Sequence, residues 1–178
     1  MPVIRFHETN ERITDFEQVV QFLNGQGVIY EKWDINKLPE HLREKYLLTD
    51  EEKNEILETY KEEIADISAR RGYKAQDVIS LSEDTPNLDQ LLENFKREHH
   101  HTDDEVRFIV SGHGVFAIQG KDGKFFDVEL EPGDLISVPE KTRHYFTLQE
   151  DRRVVAIRIF VTTEGWVPIY EKEEANAQ

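Results

Sequence analysis

The sequence predicts an α+β chain, mainly β, in which an antiparallel β-barrel carries helices from the N-terminal half. Before residue 98, apolar residues recur at helical spacing in several stretches. After residue 98, short β-type runs follow one another, and turns containing glycine or proline separate several of them. The strands predicted for this second half are 105–110, 114–119, 125–130, 135–138, 143–148 and 153–161.

The N-terminal half is predicted to be rich in helices. Thr49 and Glu52 form a capping-box pattern, so a helix should begin there and run to about residue 68. The apolar stripe of this helix consists of Ile56, Tyr60, Ile64 and Ile67. Further helices are predicted over 15–24, over 38–47 and from Pro86 onwards, and strands at 3–6, 28–33 and 75–80.

A chain of 178 residues is long enough for one domain with a substantial core. No linker rich in serine, glycine and proline divides the two halves, so we expect a single domain over 1–178. Within it, 1–97 is the helix-rich part, 98–170 the barrel core and 171–178 a frayed polar tail.

The composition excludes several classes of partner and site. The net charge of −15 argues against binding to nucleic acids or anionic membranes, and an anionic substrate would need a local positive group. The absence of cysteine excludes disulfides and thiolate ligands. The N-terminus has no long apolar stretch, so we expect a cytoplasmic protein. The strongly negative surface favours a monomer.

Three histidines and one glutamate have the spacing of a metal site. In an extended strand His99 and His101 share one face and His100 points away, whereas in a helix the pair could not converge on one ion. The three polar residues before Glu105 can form the bend that returns its carboxylate to the pair. His144 lies on a later predicted strand, from which a small barrel would direct it inward.

The chemistry of these four groups favours one divalent transition metal per chain. Burying them together without an ion would be costly. Imidazoles and a carboxylate suit Fe(II), Ni(II), Co(II) or Mn(II), and four protein ligands leave two octahedral positions for a substrate. Arg107, two residues beyond Glu105, is the candidate anion-binding group of this site. Its alternative role is an ion pair with Asp103 or Asp104.

The second half of the chain resembles the cupins in two motifs. The first motif is matched by His99, His101, Glu105 and Gly112, and the second by Gly133, Pro139 and His144. Glu93, Lys141 and Leu148 replace residues that are common in cupins. These departures leave the ligand set intact, and the resemblance implies that the antiparallel β-barrel is a cupin-type jelly roll.

Nearly the whole chain resembles the acireductone dioxygenase family. The resemblance is carried by the run from Glu98 to Arg107, by Arg71-Gly72-Tyr73 with the following Asp77, and by Gly165-Trp166. It implies a metal-dependent dioxygenase that cleaves the acireductone 1,2-dihydroxy-3-keto-5-methylthiopentene with O₂ in methionine salvage. An iron form would yield 4-methylthio-2-oxobutanoate and formate. A nickel form would yield 3-methylthiopropionate, formate and carbon monoxide.

The resemblance also implies roles for residues around the metal. Arg107 would stabilise the enolate charge of the substrate, as an electrostatic catalytic group. Phe95, Phe146 and Trp166 would pack around the substrate and its thioether tail, the alternative being ordinary barrel core. Apart from the resemblance, Glu98 is a candidate to accept a hydrogen bond from a ligand imidazole, the alternative being a surface carboxylate.

Other functions remain open on the sequence alone. One is a different cupin oxygenase with three histidines and one glutamate, and another is a non-catalytic metal-binding cupin that acts as a sensor or structural protein. A metal-dependent sugar-phosphate isomerase is a third. Arg107 speaks against a non-catalytic site, and an isomerase would need more basic residues than the sequence places near the metal.

Overall fold

The computed structural model describes residues 2–83, 85–86, 88–90, 105–139 and 141–160, together with the backbone of 99–100 and 169–170. The strands in this part of the chain are β1 Val3–Phe6, β2 Arg12–Ile13, β3 Ile29–Lys32, β4 Ala75–Leu81, β5 His99–His100, β6 Glu105–Gly112, β7 Gly114–Gln119, β8 Phe125–Leu130, β9 Asp134–Val138, β10 His144–Leu148, β11 Val154–Phe160 and β12 Ile169–Tyr170. The helices are α1 Phe16–Gly25, α2 Asp50–Thr59 and α3 Lys61–Arg71, with 3₁₀ turns at Ile35–Lys37 and Glu40–Leu42.

The strands form two antiparallel sheets. One has seven strands in the order β12-β5-β10-β7-β8-β1-β2, and the other has five in the order β3-β9-β6-β11-β4. The prediction of a mainly antiparallel β fold with helices is confirmed. The strands described here do not close into one hydrogen-bonded barrel, because their pairing divides them between the two sheets.

Strand β6 shows how the two sheets and the helices are layered. Ile109 belongs to the core between the sheets, with residues from both of them. Phe108, which points to the opposite face of β6, packs at 4.6 Å from Trp33 and 4.9 Å from Tyr60, measured between ring centroids. Every residue of β6 is therefore buried, as expected of a strand covered on both sides.

The N-terminal half contributes more to the sheets than the sequence indicated. Strands β1 and β2 extend the seven-stranded sheet, and β3 and β4 form the edges of the other. Strand β2 was not predicted, because its two residues are too short to show a pattern. The predicted strands of both halves agree with the observed ones to within two residues at each end.

Two helix predictions were partly or wholly wrong. The Thr49 capping box is confirmed, since Thr49 Oγ1 accepts from the Glu52 amide at 3.1 Å and Glu52 accepts from the Thr49 amide at 2.9 Å. The helix predicted to begin there is interrupted at Tyr60, where φ is −109° and ψ is 18°, so α2 and α3 take its place. The predicted apolar stripe of Ile56, Tyr60, Ile64 and Ile67 is nevertheless buried. The helix predicted over 38–47 is only the 3₁₀ turn after Pro39.

The remaining predictions of local structure lie largely outside the described residues. Residues 88–90 are helical, as expected for a helix that begins near Pro86. The rest of that helix and the tail 171–178 lie beyond the part that the structure describes. No helix among the described residues is both long and apolar enough to cross a membrane.

Gly112, the glycine of the first cupin motif, is required by its backbone and by its surroundings. Its φ is +73°, and an added Cβ would lie 2.2 Å from the carbonyl oxygen of Arg153. Gly123 has a similar φ of +86° but has open space where its Cβ would be. Alanine substitutions at Gly112 and Gly123 therefore allow the cost of backbone strain to be separated from the cost of steric overlap.

We predict that Gly123→Ala lowers the free energy of unfolding by about 1–2 kcal/mol, the cost of a left-handed conformation for a residue with a Cβ. Gly112→Ala should lower it by about 1–3 kcal/mol more, because the backbone of β11 must also move. Urea denaturation of both variants with the same metal content measures the difference. Equal losses would show that the overlap at Gly112 is relieved without cost.

Candidate metal centre

The candidate centre lies between the two sheets, where β6 and β10 begin. Glu105 is the first residue of β6 and His144 is the first residue of β10. Glu105 Oε1 lies 2.7 Å from His144 Nε2, and the two side chains are 2% and 1% exposed. The structure thus brings together a carboxylate and an imidazole that are 39 positions apart in the sequence.

The orientation of the His144 ring is set by the loop before β10. Its Nδ1 lies 2.8 Å from the carbonyl oxygen of Thr142, so Nδ1–H donates to that oxygen. Burial alone would disfavour the imidazolium, but the charge and hydrogen bond of Glu105 outweigh it and raise the pKa of His144. A histidine fixed in this way directs Nε2 toward Glu105, as metal-ligating histidines are commonly oriented.

Arg107 lies beside this pair on the same face of β6. Its Nη2 is 3.3 Å from Glu105 Oε2, and its guanidinium carbon lies 4.6 Å from the Phe146 ring centroid and 5.5 Å from that of Phe116. Burial lowers the pKa of Arg107 to about 10, although the Glu105 carboxylate opposes this shift. At neutral pH the guanidinium therefore remains charged inside the sheets.

The alternative role of Arg107 that the sequence offered stays a prediction. That alternative was an ion pair with Asp103 or Asp104, both of which lie outside the described residues. Among the described residues, the Glu105 carboxylate forms an ion pair with Arg107 from a position two residues away on the same strand face. Alternation along a strand was sufficient information to find this partner.

A second ion pair adjoins Arg107 on β11. Arg158 is directly opposite Arg107 in the antiparallel register, and Asp77 is opposite Arg158 on the next strand. Arg158 donates to the Asp77 carboxylate through Nε at 2.8 Å and Nη2 at 2.5 Å. This carboxylate offsets the repulsion between two arginines placed side by side. The sequence did not indicate the Arg158–Asp77 pair, because the pair depends on the register of β4 against β11.

The backbone of β5 brings His99 to the same end of the seven-stranded sheet. The Cα of His99 is the antiparallel partner of the Cα of His144. The extended conformation expected there is observed for His99 and His100. The side chains of His99 and His100, and the whole of Phe95, Glu98, His101 and Trp166, lie outside the described part of the structure.

Within the described residues, Glu105 and His144 are therefore the members of the predicted ligand set that are seen together. No group of three or more histidine, aspartate or glutamate side chains able to hold a metal occurs in that part of the chain. Phe146, predicted to pack on the substrate, is 1% exposed and contacts the Arg107 guanidinium. The sequence did not indicate that Phe116 contacts Arg107, because this contact joins residues of two different sheets.

A carboxylate and an imidazole meeting between the sheets of a jelly-roll-like fold place this chain among the cupins. The match to a family model is more specific. The ARD/ARD' family model covers residues 3–168, so the chain belongs to the acireductone dioxygenase family.

Curated relatives and a solved structure agree with this assignment. An acireductone dioxygenase of Bacillus subtilis is 73% identical over 177 residues, 99% of each chain. One of Bacillus cereus is 75% identical over 170 residues, covering 96% of this chain and all of the relative. The structure of acireductone dioxygenase from Bacillus anthracis with a cadmium ion in its active centre superimposes with a TM-score of 0.93 at 74% identity, over 96% of this chain and 98% of that one.

Proposed function

We propose that the chain holds one Fe(II) or Ni(II) through His99, His101, Glu105 and His144. With this ion it cleaves 1,2-dihydroxy-3-keto-5-methylthiopentene with O₂. The observation that carries the proposal is the buried contact between Glu105 and His144 with the Arg107 guanidinium beside it. The relatives of 73% and 75% identity are acireductone dioxygenases, and a 74% identical structure has cadmium in its active centre.

The described residues fit a metal ion of this kind. His144 Nδ1 is occupied by the Thr142 carbonyl, which leaves Nε2 for coordination. The two carboxylate oxygens of Glu105 face different partners, Oε1 toward His144 and Oε2 toward Arg107. One oxygen is therefore placed for the ion. Residues directly opposite in an antiparallel pair share a sheet face, and the register with His144 therefore supports His99 as a ligand.

When bound, the metal would supply Lewis acidity and a template that orients the two substrate oxygens. Arg107 supplies a fixed positive charge for the enolate form of the substrate. Because Arg107 is buried and already held by Glu105 and two aromatic rings, this charge needs little reorganisation during the reaction. It also provides the local attraction that an anionic substrate requires in a chain of net charge −15.

Apolar side chains exclude water around this charge. Phe116 and Phe146 are buried against the guanidinium, and a low local dielectric strengthens its interaction with an enolate. We propose that Phe95 and Trp166 complete the apolar wall around the thioether tail with Phe146. We also propose that Glu98 accepts a hydrogen bond from a ligand imidazole. The roles of Phe95 and Trp166 rest on the family resemblance, and that of Glu98 rests on its position beside His99 in the sequence.

The outcome of the reaction is proposed to depend on which metal is loaded. With iron the chain gives 4-methylthio-2-oxobutanoate and formate, and with nickel it gives 3-methylthiopropionate, formate and carbon monoxide. The first product returns carbon to methionine, so we place the activity in methionine salvage. We also propose that the protein is a cytoplasmic monomer that acts on a small molecule. The absence of a nucleic-acid or membrane partner remains a prediction from charge.

The test is an anaerobic mixture of the acireductone with Fe(II)-loaded or Ni(II)-loaded protein, followed by admission of O₂. Rapid loss of the enediol absorbance is expected in both cases, with carbon monoxide only from the nickel form. Product analysis by mass spectrometry and gas chromatography measures the two routes. If metal is bound but the oxidation is no faster than without protein, the site belongs to another cupin oxygenase or to a non-catalytic metal-binding cupin.

A further inference from the structure

We infer that Phe116 is a positioning residue for Arg107 and that Gly114 provides the space this arrangement needs. The inference rests on the proposed function, since it concerns the group that would stabilise the enolate. Neither residue belongs to the predicted ligand or substrate-packing set. Both lie on β7, on the sheet opposite the one that carries Arg107.

The guanidinium of Arg107 is held by two rings of the facing sheet. Phe116 and Phe146 are directly opposite in the register of β7 and β10, and their centroids are 5.0 Å apart at an angle of 57°. The guanidinium carbon lies within 6 Å of both centroids, which is the range of a cation–π interaction. Because Phe116 is 0% exposed, this interaction is formed without competing water.

The rings limit how Arg107 can approach Glu105. The closest approach in the observed ion pair is between Arg107 Nη2 and Glu105 Oε2, at 3.3 Å, while Oε1 faces His144. A guanidinium and a carboxylate that are free to move tend to form two parallel hydrogen bonds. Such a pairing would take both oxygens of Glu105 and move the positive charge away from the substrate. We infer that contact with the Phe116 and Phe146 rings disfavours it.

Phe116 also contacts the imidazole of the candidate site. Its ring centroid lies 6.0 Å from that of His144. One buried ring therefore touches both Arg107 and His144, which come from different sheets. A change at Phe116 should move the positive charge and the ligand relative to each other without removing either.

Gly114 makes room for the second ring. A Cβ at this position would lie 2.8 Å from Phe146 Cε1 and 3.0 Å from Cζ. Unlike Gly112, this glycine has no positive φ, so the requirement is for space and not for backbone freedom. Gly114→Ala should therefore displace the Phe146 ring, and with it the guanidinium that lies 4.6 Å from its centroid.

The first test is Phe116→Leu in the Fe(II)-loaded protein, with Phe126→Leu as the matched control. Phe126 is a 1% exposed phenylalanine of the same inter-sheet core, on β8, one strand further from β10. Phe116→Leu should lower kcat by about tenfold to thirtyfold, with KM changed less than about threefold. Phe126→Leu should lower thermal stability by a similar amount and leave kcat unchanged.

The second readout does not depend on turnover. In the protein loaded with diamagnetic Cd(II), the Arg107 Nε–H signal is identified by its loss in the ¹H–¹⁵N spectrum of Arg107→Lys. Phe116→Leu removes a ring current near the guanidinium and should shift this signal, whereas Phe126→Leu should not. Gly114→Ala should shift it too and lower kcat, which keeps the inference testable if Phe116→Leu fails to fold.

The outcomes separate this inference from the proposed function. Lack of turnover by the unmodified protein would contradict the proposed function, while the Arg107 signal would still report on Phe116. An active protein in which neither Phe116→Leu nor Gly114→Ala moves the signal or kcat would overturn the inference. So would a loss of kcat that Phe126→Leu reproduces, or a rise in KM alone, which would make Phe116 part of the substrate surface.

Discussion

His144→Ala is expected to abolish both metal retention and turnover. The substitution removes the Nε2 atom that the Thr142 carbonyl orients toward Glu105. Loss of a residue that only orients a ligand commonly costs about 10–100-fold in metal affinity, so loss of a ligand should cost more. His99→Ala should have the same effect, because the Cα of His99 is the antiparallel partner of the Cα of His144. Metal content after gel filtration, measured by mass spectrometry, checks both.

His113→Ala is the matched control for these substitutions. His113 also has an imidazole nitrogen close to a carboxylate, 2.7 Å from Asp151, but its side chain is 43% exposed. This variant should keep its metal and its rate. If His144→Ala retained full metal content and full turnover, His144 would have to be removed from the proposed ligand set.

Arg107→Ala is expected to keep its metal but to lower kcat by about 10²–10³, the usual cost of removing one preorganised electrostatic group. The buried guanidinium remains charged at neutral pH, because burial lowers its pKa only to about 10. Without it, the enolate would lose the fixed positive charge that supplements the charge of the metal. Steady-state kinetics with the acireductone, normalised to bound metal, measures the loss.

Arg153→Ala provides the control for loss of an arginine that contacts an aromatic ring. The Arg153 guanidinium carbon lies 5.2 Å from the Tyr46 centroid, and its side chain is 47% exposed. This variant should retain the kcat of the unmodified protein. Unchanged kinetics in Arg107→Ala itself would assign Arg107 to structural support of Glu105.

The sequence predicted the parts of the fold that depend on local patterns. The Thr49 capping box and the stripe from Ile56 to Ile67 follow from spacing along one helix face, and both are observed. The helix predicted over 38–47 failed because the backbone leaves helical geometry after Leu42, with ψ of 132° at Arg43 and φ of +52° at Glu44. The division of the strands into two sheets depends on pairing between distant segments, which periodicity does not encode.

The same distinction applies to the candidate site. Alternation along β6 correctly placed Glu105 and Arg107 on one face, and spacing indicated that His144 would approach from another strand. Phe116 could not be found in this way, because its contact with Arg107 joins two sheets. The Arg158–Asp77 pair was missed for a similar reason, since it needs the register of β4 against β11.

The most direct test of the proposed centre is an anomalous-scattering crystal structure of protein loaded anaerobically with nickel. We predict one metal peak between the sheets, roughly 2.0–2.2 Å from imidazole nitrogens of His99, His101 and His144 and from one oxygen of Glu105. Arg107 should remain beside the ion, held against Phe116 and Phe146. A metal peak elsewhere, or an ion that Glu105 and His144 do not touch, would contradict the proposed centre.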